Sequence, residues 1–101
     1  MVNRKVDISS QDIAGFCRRW KITEFSLFGS ILRGDFRPDS DIDVLIDFAA
    51  DAELDLFDLA IMKDELEEIF GRAVDLVDKQ GLRNPFRRHN ILTSREVIYA
   101  A

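Results

Sequence analysis

The sequence predicts a single α/β domain in which a small β-sheet is flanked by helices. Three observations carry this. Segments with apolar residues at helical spacing alternate along the chain with short apolar runs of strand length. At 101 residues and 47% hydrophobic content, residues 1–101 suit one core rather than two. The breaks fall on Gly, Pro, Asn, Asp and Ser, with no repeat, linker or low-complexity stretch between them.

The elements follow in order. Ser9-Ser10-Gln11-Asp12 is a capping-box signal, and Ile13, Phe16, Cys17 and Trp20 recur at helical spacing behind it. This predicts an amphipathic helix ending near Lys21, with Arg18, Arg19 and Lys21 on a solvated face. Glu24 to Phe28 reads as a strand, and Ile31-Leu32-Arg33 as a short helix. Arg37-Pro38-Asp39-Ser40 is turn chemistry leading into a second strand, Asp41 to about Phe48, with Asp47 a solvated residue at its end. After a loop, a helix runs from about Leu54 to Phe70 on an apolar stripe of Leu59, Met62, Leu66, Ile69 and Phe70, with Gly71 as its cap. Lys63, Asp64, Glu65, Glu67 and Glu68 form its wet face, while Leu56 and Phe57 either extend the core or lie exposed for a partner. Ala73 to Asp78 is a third strand. Asn84-Pro85 caps a short helix to about Thr93, and Glu96 to Tyr99 is a last strand.

Composition excludes several classes. No apolar run approaches the ~20 residues of a membrane span, and the N-terminus shows no apolar signal region. Cys17, the single cysteine, leaves no internal disulfide and fits a reducing compartment, so the expected location is the cytoplasm. The net charge of −5 disfavours a long nucleic-acid substrate, because such binding is driven by Lys and Arg on phosphate. An acidic protein holds a triphosphate only if metal ions supply the positive charge.

The chemistry concentrates in Phe28 to Asp43, read together with Asp75. Asp41 and Asp43 open a strand two residues apart, which sends both carboxylates to one face with Cα atoms roughly 7 Å apart. That spacing lets them converge on ions held ~3.5–4 Å apart. Like charges so placed call for a cation between them, and Mg²⁺ suits them because it prefers hard oxygen ligands. Gly29 permits a tight turn and close approach by a ligand. Ser30 offers a hydroxyl, an N-cap and a backbone N–H at a helix start, where anions bind. Arg33, about one helical turn later, either braces the loop through Asp35 or Asp39 or reaches a phosphate. Asp75 is a carboxylate within an apolar strand, and burial of a lone acid is costly without a partner. Asp78 points to the opposite face. Arg83, Arg87, Arg88 and Arg95 form either a solvated basic face, a docking surface for an acidic partner, or help with pyrophosphate.

Gly29-Ser30, Arg33-Gly34, Pro38-Asp39-Ser40-Asp41-Ile42-Asp43 and Val74-Asp75-Leu76-Val77 together resemble the nucleotidyltransferase superfamily related to DNA polymerase beta. The pattern is most similar to the minimal nucleotidyltransferases, the antitoxin half of pairs whose toxin is a HEPN-type ribonuclease. The resemblance implies a polymerase beta-like palm with a mixed sheet, and Asp75 arriving from the strand beside the first two carboxylates. It implies Asp41, Asp43 and Asp75 as catalytic, metal-binding residues for two Mg²⁺ ions, with Gly29, Ser30 and Arg33 on the nucleotide. It also implies transfer of AMP from ATP to a hydroxyl, a tyrosine of the HEPN-type toxin, which silences that partner. Two other readings stand beside this one: an antitoxin that acts by binding alone, and a small-molecule (aminoglycoside-type) nucleotidyltransferase whose acceptor site a partner supplies. A homodimer is left open.

Overall fold

The computed structural model describes residues 10–32 and 40–101. The chain runs α1 (Ser10–Arg19), β1 (Ile22–Phe28), a 3-10 turn (Gly29–Leu32), β2 (Ile42–Phe48), α2 (Leu56–Phe70), β3 (Val74–Asp78), a second 3-10 turn (Lys79–Gly81), α3 (Pro85–Ser94) and β4 (Glu96–Ala100). The four strands form one mixed sheet in the order β3-β2-β1-β4. β1 is antiparallel to both β2 and β4, whereas β2 and β3 run parallel and are joined through α2. That crossover is what a parallel pair requires. No helix among the described residues is long and apolar enough to cross a membrane.

Side chains alternate across the sheet, and the two faces carry cores of unequal size. On one face Phe25, Leu27, Ile42, Val44, Ile46 and Val74 pack against Ile13, Phe16 and Cys17 of α1 and Met62, Leu66 and Phe70 of α2. Phe16 and Phe25 meet edge to face, with centroids 6.3 Å apart. The other face is covered by α3 through a smaller cluster of Phe28, Leu45, Leu82 and Ile91.

Caps set the helix bounds. Asp55 has extended backbone, accepts from the Asp58 N–H, and has its own N–H accepted by Asp58, so α2 begins at Leu56 rather than Leu54. Gly71 closes α2 at φ 72°. Asn84 Oδ1 accepts from the N–H groups of Phe86 and Arg87, with Pro85 at the first helical position.

Several residues expected to be solvated are tied down. Glu65 accepts from Arg19 and from the Trp20 indole N–H at 2.9 Å, joining α2 to the end of α1. Glu67 accepts from the Val74 N–H at 2.9 Å and so satisfies a donor where β3 begins. Lys21, at φ 57°, stays solvated as expected and pairs with exposed Asp51 at 3.2 Å. Asp47 is half-buried, 3.8 Å from Lys79 Nζ, and accepts from Gln80 Nε2 at 3.0 Å. Glu24 on the same face holds Arg95 at 2.9 Å, and Arg88 donates to the Lys79 carbonyl. Two of the four arginines near the C-terminus therefore brace α3, while Arg83 and Arg87 remain exposed.

Cys17 is fully buried. Burial pushes its thiol from an ordinary value of 9.0 up to about 12, with the Arg18 charge opposing. The folded state therefore keeps a proton that the unfolded chain releases, so this contribution to stability is complete below about pH 9 and is lost as pH rises towards 12. We expect the stability difference between wild type and Cys17→Ala to shrink across that window in denaturant titrations. An alkylating reagent should modify Cys17 only after unfolding.

Candidate active site

The end of β1, the start of β2 and the start of β3 meet at one end of the sheet. β1 leaves its last paired residue, Phe28, opposite Asp43. Gly29 then turns the chain at φ +76°, a conformation that L side chains rarely adopt. A Cβ built on Gly29 would lie 2.1 Å from Asp43 Oδ2 and 3.0 Å from its Cγ. Backbone conformation and space both require glycine here, and the Asp43 carboxylate rests directly against the turn.

Ser30 does not cap a helix. It is the second residue of a four-residue 3-10 turn, half-buried, with Ile31 anchoring the turn in the larger core. So short a turn has little dipole, and what it offers an anion is its N–H groups and a hydroxyl. Arg33 lies outside the described residues, as do Ser9 and residues 34–39.

Asp75 sits on β3 in register with Asp43 on β2, and the parallel pairing puts both on the face that α3 covers. Neighbouring strands are ~4.8 Å apart, so two carboxylates occupy adjacent positions on one face. Asp43 is half-buried, whereas Asp75 is exposed because β3 is an edge strand. The premise that Asp75 is a buried lone acid is thus corrected: solvent reaches it from the open edge, and its place beside Asp43 is what singles it out. Asp41 precedes the first paired residue of β2 and is exposed. Asp78 pairs with Ile46 and faces the opposite side.

Among the described residues no three His, Cys, Asp or Glu side chains are grouped so as to hold a metal ion by themselves. The donor chemistry nevertheless fits Mg²⁺. It is bound by one or two carboxylates and completed by water and substrate phosphate, without a full protein cage. Asp43 and Asp75 are side by side with like charge, and Asp43 abuts the turn whose N–H groups suit phosphate. A concavity of about 510 Å³ lies at the other end of β2, around Asp47, Phe48 and Ala49. A smaller cleft of about 290 Å³ flanks Asp75 on its outer side, between β3 and Ala60 and Lys63 of α2.

The model of the nucleotidyltransferase domain family matches residues 11–98. The protein adenylyltransferase MntA of Thermococcus cleftensis is 36% identical over 81 residues, covering 80% of this chain and 77% of that protein. A toxin–antitoxin crystal structure with AMP-PNP superposes at a TM-score of 0.75 and 25% identity, covering 93% of this chain and 75% of the other. A tyrosine-to-alanine variant of an MntA–HpeT toxin–antitoxin complex superposes at 0.72 and 25% identity, covering 94% and 75%. The mixed four-stranded sheet with three helices is the fold these structures share.

Gly29→Ala must take a left-handed conformation and displace Asp43, so it should destabilise the domain by ~1–3 kcal/mol. Gly15→Ala, in the interior of α1 with nothing within 4 Å of the added Cβ, should stabilise it by roughly 0.5–1 kcal/mol. Melting temperatures that moved together for these two variants would contradict the packing of Gly29 on Asp43.

Proposed function

We propose, on the premise that this chain belongs to the nucleotidyltransferase domain family, that it is a Mg²⁺-dependent protein adenylyltransferase. It transfers AMP from ATP to a tyrosine hydroxyl of a HEPN-type toxin partner in the cytoplasm and thereby neutralises that partner as its antitoxin. The observation that carries this reading is the Asp43 carboxylate held against the Gly29 turn, with Asp75 in register beside it on the parallel strand. A related adenylyltransferase at 36% identity supports the reaction class, and a solved relative with AMP-PNP supports ATP as donor.

The chain's residues divide the work. The Gly29 and Ser30 N–H groups and the Ser30 hydroxyl orient the β- and γ-phosphates, and Arg33 is assigned to the same nucleotide. Asp41, Asp43 and Asp75 would hold two Mg²⁺ ions, which would neutralise phosphate charge and lower the pKa of the attacking hydroxyl. Asp75, solvent-exposed on the edge strand, is open to an incoming acceptor and takes the hydroxyl proton. The acceptor oxygen bonds to the α-phosphorus, the α–β bridge breaks, and pyrophosphate leaves. Catalysis is positioning and electrostatics, with no covalent intermediate on the protein.

The test uses labelled ATP, Mg²⁺ and the product of the adjacent reading frame. Label should pass to that protein, and Asp41→Asn, Asp43→Asn and Asp75→Asn should each cut the rate by at least ~10²-fold with the melting temperature retained. Transfer at the wild-type rate by folded Asp43→Asn protein would defeat the assignment.

A further inference from the structure

α2 departs from the pattern of a surface helix over its first two turns. Met62, Leu66 and Phe70 make its buried stripe. The opposite side should be polar, yet it carries Phe57, 79% exposed, and Ile61, 48% exposed, one turn apart, with Leu56 at 82% beside them. Ala60 continues the same surface. Only in the last two turns does the outward side become charged, through Asp64 and Glu68. Large apolar side chains left adjacent in this way mark an interaction site when polar residues rim them.

The rim is mostly acidic. Glu53, Asp55, Asp64 and Glu68 are exposed around the patch, and Lys63 is the single cation of α2. The complementary surface is therefore apolar at its centre and basic at its edge. The patch also leads somewhere. Ala60, on the patch, lines the cleft of about 290 Å³ whose other walls include Lys63 and Asp75. A body seated on Leu56, Phe57 and Ile61 is thus continuous, along about two turns or ~10 Å of helix, with the carboxylate assigned to the acceptor.

We infer that the outward face of the first half of α2 is the docking surface for the protein that carries the acceptor hydroxyl. That partner presents an apolar patch rimmed by Lys and Arg, and the Ala60–Lys63 cleft guides its acceptor segment to Asp75. The inference rests on the adenylyltransferase reading for what is delivered, but the docking itself is independent of chemistry.

The experiment measures affinity and transfer separately, using the product of the adjacent reading frame, purified on its own, as the probe. Phe57→Asp should weaken its binding by ~30-fold or more, as for a central apolar anchor, and raise the KM for transfer to it without changing kcat. Binding should also weaken as salt is raised. Phe86→Asp, which alters an exposed phenylalanine of α3 (81% exposed), should bind like wild type. Asp43→Asn should bind fully and transfer nothing, so lost chemistry and lost docking are told apart. Binding of Phe57→Asp within twofold of wild type would overturn the inference. So would loss of binding in Phe86→Asp alone, or sedimentation showing that Phe57→Asp merely dissociates a homodimer of this chain.

Discussion

Gly29 lies so close to the Asp43 carboxylate that one methyl group would not fit between them. The rest of the candidate site depends on this approach. The antiparallel pairing of β1 with β2 ends at Phe28 opposite Asp43, and the turn must fold back at once over the start of β2. A left-handed residue without a side chain does this, and it brings the turn against the Asp43 carboxylate. β3 then adds Asp75 from the other side by parallel pairing. The parallel pair exists because α2 crosses over the larger core, fixed at its entry by the Asp55–Asp58 capping box and at its exit by Gly71. The placement of Asp75 beside Asp43 is therefore set by a helix whose buried stripe packs in the core.

Charge serves different ends at the two ends of β2. At the far end Glu24, Asp47, Lys79 and Arg95 neutralise one another on the α3 side, and Gln80 completes Asp47. These groups are about one-fifth exposed and hold the second 3-10 turn and α3 onto the sheet. At the near end two acids stand side by side on neighbouring strands. Two carboxylates on one strand thus sit in different settings: Asp47 is held by Lys79 and Gln80, and Asp43 lies against Gly29 beside Asp75.

Much of the architecture was legible because it is local. Among the described residues, periodicity and cap signals located the three α-helices and four strands to within a few residues, with Asn84-Pro85 and Gly71 marking helix ends by chemistry confined to adjacent residues, while the 3-10 turn at Lys79–Gly81 went unread. Gly29 and Asp43 were legible as a pattern, although their contact was not, since it depends on how β1 and β2 register. Long-range partners were hidden. Glu65 and Glu67 read as a wet face, but one joins α1 and the other the start of β3. Asp47 read as solvated until Lys79 and Gln80 were brought to it. The exposure of Asp75 follows from β3 lying at the margin of the sheet, which strand order alone decides. The Asp55 cap was available in the sequence, since Asp58 follows three residues later, but a helix begun at Leu54 passes over it.

The inequality of the two hydrophobic layers has a consequence for motion. The layer beneath α3 contains four buried apolar residues, and within β1 it meets Ser26, a wholly enclosed hydroxyl with no hydrogen-bond partner among the described residues. The layer beneath α1 and α2 is far larger. The α3 side therefore has the least apolar contact to lose on local opening, and it includes Phe28, the residue opposite Asp43. A protein built this way has most of its apolar packing on the α1–α2 side of the sheet and the thinner layer on the side that carries Asp43 and Asp75.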